Sequence, residues 1–339
     1  MKILILSLYS VVLFLIFTSC SNDGNKNKDD TKDFTLSFNV ETNQDQMGDF
    51  SHNKMVVFNN EVWSVGGLND YNTSTNSDVW KSTNGVNWVS VTSDEFPNRV
   101  GHTLTVFDNK MWVIGGFTEN DSGTYEALSD VWYSSDGENW TLATNDIIGT
   151  STIGFHSTIA FDNKLYLIKD GYYESAPGCT VWSSSDGMSW ARETDNAFPY
   201  RDDFSVTVFN NEIYVTGGSW GSNFFNEIWK SSDGINWTQV STSGTIFSPR
   251  ASNAFLVYEN KLWVFGGRNG NAIITGMGLW YSNNGEEWFR YEPLPAEDGL
   301  YDFAALNYNN AIWVFGGLRQ EPSSVIANRV GTINTITQD

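Results

Sequence analysis

The sequence predicts an all-β fold, a β-propeller of six four-stranded blades closed by an N-terminal strand that completes the last blade. Three observations carry this expectation. A nine-residue stretch returns six times: NNEVWSVGG (59–67), DNKMWVIGG (108–116), DNKLYLIKD (162–170), NNEIYVTGG (210–218), ENKLWVFGG (259–267) and NNAIWVFGG (309–317). Its spacing of about fifty residues is that of a propeller blade. A second phrase, DVWYSSDGENW (130–140), follows each copy except the last, as DVWKSTNGVNW, TVWSSSDGMSW, EIWKSSDGINW and GLWYSNNGEEW in the other units. Finally, fourteen of the fifteen tryptophans fall at repeat positions, which places them in a repeated core.

Each unit reads as four short strands. Strand a is apolar, as in HTLTVF (102–107). The turn after it has Asn as its second residue in all six copies: Asn60, Asn109, Asn163, Asn211, Asn260 and Asn310. A type I′ hairpin needs positive φ at both central positions, which Asn tolerates. Strand b, as in KMWVIGG, is apolar on both faces and reads as buried from both sides. A variable loop leads to strands c and d, which carry the first and second Trp of the phrase.

Between c and d stand Asn84-Gly85, Asp136-Gly137, Asp186-Gly187, Asp233-Gly234 and Asn284-Gly285. These are strong signals for two-residue hairpin turns. Such a turn sets Trp140 opposite Tyr133 and sends Trp132 to the other face, so each unit offers one Trp to each side. The Asp of the phrase is read as turn chemistry, because Asn replaces it twice.

The sixth unit ends in ANRVGTINTITQD without the phrase, so its outer strand must come from elsewhere. DFTLSFNV (33–40) resembles NWTLATND (139–146), with Phe34 in the Trp place, and is expected to serve as strand d of that unit. Before it lies KILILSLYSVVLFLIFTSC (2–20), a positive residue and an apolar run too short for a comfortable membrane span. FTSC resembles a bacterial lipobox. The expected organisation is a lipoprotein signal peptide over 1–19, a polar tether over 20–33 beginning at an acylated Cys20, and one propeller domain over 34–339. That resemblance implies a bacterial cell-envelope address, lipid-anchored in the outer membrane, with the membrane reached through the anchor only.

The net charge of −21 makes nucleic acid and anionic lipid poor partners. Apart from Cys20 the sole cysteine is Cys179, so no internal disulfide forms in the domain and stability comes from packing.

The double glycine closing strand b, the DVW after the loop, and RVGH (99–102) opening strand a resemble Kelch repeats, over residues 50 to 339. SSDGENW also resembles a shortened Asp-box hairpin. Unit three departs from the pattern with Lys169-Asp170 in place of the glycine pair, so its backbone is expected to run differently there, with one of the two side chains touching a neighbouring loop. Kelch-like enzymes, such as galactose oxidase and sialic-acid epimerases, place their sites on the face bearing the d–a and b–c loops. His102 and His156 share a register at the start of strand a, but the Kelch pattern implies a polar plug there. No metal and no cofactor are expected.

Five of the eight arginines fall on that face. Arg99, Arg201 and Arg250 precede strand a, and Arg268 and Arg319 follow the double glycine. They could form a cationic cup for a carboxylate, since Arg binds it through a bidentate fork, or tie blades together. Trp220 is the one Trp off register, and Tyr172 and Tyr173 share its kind of loop, where exposed rings suit stacking on sugars or a protein interface. These observations point to a monomeric propeller that binds a glycan or a partner protein through its loop face. The alternatives are an enzyme acting on an acidic sugar, for which the sequence offers no identifiable acid–base pair, and a structural subunit of an envelope complex.

Overall fold

The six a–b turns have the backbone their asparagines call for. Both central residues have positive φ in every copy, from Asn59-Asn60 (52° and 61°) to Asn309-Asn310 (48° and 59°). The computed structural model of the protein describes residues 35–43, 47, 50–69, 74–120, 122–147, 149, 153–172, 175–270, 272–274, 278–291, 299–320, 324–326 and 329–336. The segments expected to be a signal peptide and a tether with Cys20, as well as Phe34, Tyr173 and the side chain of Arg319, lie outside the described residues.

The protein is all-β, a β-propeller of four-stranded antiparallel blades. In unit two the strands Thr103–Phe107, Lys110–Glu119, Tyr125–Ser134 and Thr141–Thr144 pair in chain order. Units three and five repeat that order, and units one and four each add a short fifth strand. A further sheet holds Ala304–Tyr308, Ala311–Phe315 and Arg329–Ile336, and its fourth strand is Thr35–Asn43. That strand runs antiparallel to Arg329–Ile336 from Thr35↔Ile336 to Asn43↔Arg329. The a strands lie side by side in the order Lys54–Phe58, Thr103–Phe107, Ser157–Phe161, Asp202–Phe209, Ala254–Tyr258 and Ala304–Tyr308, and the last of these also lies beside the first.

The c–d connection differs from the sequence expectation. It is not a two-residue turn, because only Gly137 of the Asp136-Gly137 pair has positive φ (78°). Side chains organise a longer loop. Ser134 Oγ accepts from the N–H of Gly137 at 2.7 Å, and Asp136 Oδ1 accepts from the N–H groups of Glu138 (2.9 Å) and Asn139 (2.8 Å). Asp136 is thus turn chemistry, as its residue type suggested. The ladder resumes at Thr141↔Tyr133, so Trp140 sits one residue before it.

The two tryptophans of a phrase therefore share a side. Trp132 and Trp140 pack together against Trp63 and Val65 of the preceding unit. Trp182 and Trp190 meet Trp112 likewise, and Trp80 and Trp88 meet Trp313. Tyr133, not the phrase Trp, faces the following unit, beside Trp112 of its own sheet at 5.0 Å and in one cluster with Leu165 and Leu167.

The glycine of the phrase completes this joint. A Cβ on Gly137 would come within 3.0 Å of the Trp63 ring, and one on Gly187 within 3.0 Å of Trp112. The strand-b ring of one unit lies against the glycine of the next. Asn or Asp, Gly and Trp recur together because the loop, the bare backbone and the lid over it form one interlock between sheets.

Candidate functional site

The a strands enclose a cavity of about 480 Å³. Its rim is built by one backbone device. The second residue before each a-strand column of small side chains has a left-handed backbone: His52 (φ 57°), Gly101 (67°), Phe155 (48°), Asp203 (53°), Ser252 (54°) and Asp302 (52°). All six line the cavity. A non-Gly residue in this region costs roughly 1–2 kcal/mol, so five such residues are held there by their surroundings.

The rim is chemically mixed. His52 Nε2 lies 3.2 Å from Asp302 Oδ2, and Arg268 Nη2 donates to Asp203 Oδ2 at 3.2 Å. Burial pushes the Asp203 carboxyl up, with repulsion from Asp302 adding to it and Arg268 opposing it. Burial also acts on Asp302, but the hydrogen bond and charge of His52, a bond from Ser252 and the nearby Lys54 outweigh it and hold that carboxyl below its usual value. Phe155 leaves 51% of its surface exposed, an apolar ring among charges, and packs 5.1 Å from Phe117.

Beneath the rim, His102 and His156 are buried and bonded across sheets. His102 Nε2 is 3.1 Å from the Val65 carbonyl oxygen, and His156 Nε2 is 3.0 Å from Thr103 Oγ1. Burial drives both imidazoles toward neutrality, His156 to about 3. They act as the polar plugs that the repeat pattern implies. Among the described residues no group of three His, Cys, Asp or Glu side chains is placed to hold a metal ion.

The cationic cup is corrected for Arg99, Arg201 and Arg250. All three are buried and make the same bonds in their own units. Each Nε donates to the carbonyl two residues earlier: Pro97 at 3.0 Å, Pro199 at 3.2 Å and Ser248 at 3.1 Å. Each Nη1 donates to the first carbonyl of the glycine pair: Gly115 at 3.0 Å, Gly217 at 3.3 Å and Gly266 at 3.0 Å. The acid before the strand-c Trp faces the same guanidinium. Arg99 forms a two-pronged pair with Asp130 at 2.9 Å, and Arg201 lies 3.4 Å from Glu227. Unit five has Gly278 at that place, whose carbonyl accepts from Arg250 instead, and burial lowers the Arg250 pKa to about 10. These guanidiniums are turned to the protein's own carbonyls and acids, with Arg201 Nη2 held by the Glu227 ion pair rather than by a hydrogen bond. Of the five arginines, Arg268 alone is a described side chain on the cavity wall.

Trp220 ends strand b of unit four, and its neighbour Ser219 pairs with Asp202, so it lies at the end of the sheet that carries the rim residue Asp203. It is half-buried and forms a trio with Tyr172 (5.1 Å between ring centroids) and Tyr200 (5.4 Å). Tyr172 is 54% exposed. Trp220 does not line the cavity, nor does Arg201, so the two do not form the shared pocket that their positions in the chain suggest. The Tyr200 hydroxyl donates to the Ala176 carbonyl and fixes one side of the trio.

Unit three runs as its departure requires. Lys169 stays in the ladder opposite Thr180, without the left-handed pair found at Gly115-Gly116 (54° and 100°). Asp170 is buried and hydrogen-bonded through its side chain to Asp202 of the next unit.

The comparisons agree with this architecture. A Kelch motif model matches residues 98–133, and a model described as the DUF6242 beta propeller domain matches residues 177–280. The chain is a β-propeller that carries a Kelch motif. The chain also resembles the solved structure of YjhT, with a TM-score of 0.66 over 85% of this chain and 97% of that one, at 13% identity. That likeness concerns the fold. Among curated proteins it is 25% identical over 203 residues to spermatocyte protein spe-26 of Caenorhabditis elegans, covering 55% of this chain and 33% of that protein. It is 32% identical over 77 residues to tRNA wybutosine-synthesizing protein 2/3/4 of Oryza sativa subsp. japonica, 22% of this chain and 7% of that one. The chain thus spans about a third of the first relative's length and less than a tenth of the second's.

Proposed function

We propose that this Kelch propeller is a glycan-binding module whose ligand enters the rim of the a-strand cavity. The observation that carries the reading is the rim itself: an exposed Phe155 ring beside hydrogen-bonding and charged groups from His52, Asp203, Ser252 and Asp302, in one cavity of about 480 Å³. Sugars combine apolar ring faces with many hydroxyls, and pockets of roughly 300–1,000 Å³ with a few convergent polar groups suit small polar ligands. The trio of Tyr172, Tyr200 and Trp220 supplies a second stacking surface for a longer chain.

In this reading the blades number six, and Thr35–Asn43 closes the ring as the outer strand of the sixth. The pairing of that strand with Arg329–Ile336, and the packing of Trp313 against Gly85, Trp80 and Trp88, support it. Cys20 anchors the chain by lipid to the bacterial envelope, and the propeller is monomeric, a reading that rests on the sequence alone.

A glycan array probed with the purified protein tests the function. Selective binding that falls when Phe155→Ala or Trp220→Ala is introduced is the expected result. Trp220→Ala should leave melting nearly unchanged, whereas Trp132→Ala should cost about 3–5 kcal/mol. Binding to no glycan, or binding indifferent to both substitutions, would remove the reading and leave a protein-interaction role.

A further inference from the structure

One column of the repeat holds small residues in five copies and a long one in the sixth. Two residues after the left-handed rim position stands Thr103, Ser157, Ser205, Ala254 or Ala304, and in unit one it is Lys54. All six line the cavity. The five small side chains are what leaves the cavity open. Their hydroxyls, where present, are turned to the wall: Thr103 Oγ1 to His156, Ser157 Oγ to the Phe204 carbonyl and Ser205 Oγ to the Asn253 carbonyl. Lys54 alone carries a flexible chain with a charged tip into this space.

Its neighbours are already matched. Asp302 is held by His52 and Asp203 by Arg268, each at 3.2 Å. Lys54 makes no ion pair within 4.0 Å and no side-chain hydrogen bond among the described residues. The two carboxylates still stabilise its charge from a distance, against the cost of burial, which lowers its pKa. An ammonium has three donors and no acceptor, so three donors in a half-buried cavity await an acceptor. Leaving a buried charge without a close partner is costly, and a ligand that supplies one recovers that cost on binding.

We propose that Lys54 is the specificity-determining residue of the cavity and takes an acidic group of the ligand, a carboxylate or a phosphate on a sugar-sized body. This rests on the glycan reading for the body of the ligand, but the anion site stands on Lys54 alone. It also relocates the carboxylate site that the arginine pattern suggested. Arg99, Arg201 and Arg250 repeat because they build the frame, whereas Lys54 occurs once.

The test separates the two ideas. Protein labelled at lysine Cε with carbon-13 gives one NMR signal for Lys54, assigned by its loss in Lys54→Arg. Sodium acetate, inorganic phosphate, glucose and glucuronate are titrated in turn at constant ionic strength. A saturable shift of that signal with acetate, phosphate or glucuronate, larger than at surface lysines, is the expected result, and the stronger of acetate and phosphate names the acidic group. Glucuronate should bind more tightly than glucose, and Lys54→Met should weaken it by about tenfold to a hundredfold while leaving glucose binding alone. A Lys54 signal that follows the surface lysines with every anion overturns the proposal, even where glycans bind. Anion binding at Lys54 with no sugar bound at all would keep the site and overturn the glycan reading.

Discussion

Replacing Gly137 by alanine separates two reasons for a glycine. The residue has φ of 78°, and a Cβ there would come within 3.0 Å of the Trp63 ring. A left-handed backbone costs an L-residue roughly 1–2 kcal/mol. Forcing a methyl into a filled core adds about 1–3 kcal/mol. Trp63 has little room to yield: it is 2% exposed, and its Nε1 donates to the Phe58 carbonyl at 3.1 Å. The sum is about 2–5 kcal/mol. Gly244 isolates the backbone part, since its φ is 71° and nothing lies within 4 Å of a Cβ built on it. Gly244→Ala should therefore cost only the first amount. Urea denaturation followed by tryptophan fluorescence gives both values, and thermal melting gives the same order. Equal losses for the two substitutions would refute the interlock and leave the phrase glycine as a matter of φ alone.

Two further perturbations reach other parts of the frame. Removing residues 1–47 strips the strand paired with Arg329–Ile336 and should lower the melting temperature by on the order of 10 °C, whereas unchanged melting would rule out its role as the closing strand. The pH dependence should show a buried acid. Burial raises the Asp202 pKa to about 7, helped by repulsion from Asp170 and Asp203 and by the hydrogen bond to Asp170. An unfolded Asp titrates near ~3.9, so between roughly pH 4 and 7 the native state holds a proton that the unfolded state has released. Stability from this group is full below pH ~4 and is lost as pH rises through about 7. Asp202→Asn should match the native protein at pH 4 and exceed it at pH 8, and a difference profile that is flat or of opposite sign would sink the assignment.

The frame was legible because each of its parts has a local chemical signature. Positive φ at six turns needs Asn, Asp or Gly at two positions, and the chain writes them there. The c–d loop was misread because Asp-Gly is also the commonest two-residue hairpin signal. What decides between the two loops is Ser134, three residues before Gly137, whose hydroxyl collects two N–H groups and lengthens the loop. Ser or its counterpart stands there in every phrase: Ser82, Ser134, Ser184, Ser231 and Ser282. That signal was present, and it moves Trp140 out of the ladder and onto the same side as Trp132.

The candidate site was less legible, and for a physical reason. In a repeat, a residue written several times at one position answers a demand that those units share. Arg99, Arg201 and Arg250 meet such a demand, the unpaired carbonyl where the backbone turns left-handed at the first glycine of the pair. A buried carbonyl there needs a donor, and a long planar side chain from the strand-a entry reaches it in each case. A ligand makes no such repeated demand, because it is one asymmetric molecule. Its contacts must come from the columns where the copies disagree. His52, Gly101, Phe155, Asp203, Ser252 and Asp302 share a backbone but comprise five residue types, and Lys54 stands against five small residues. The cavity wall is thus written where the units disagree, and not where a functional residue type recurs. By the same reasoning Arg99→Met should damage folding without altering ligand preference, while Lys54→Met should alter preference with little effect on folding.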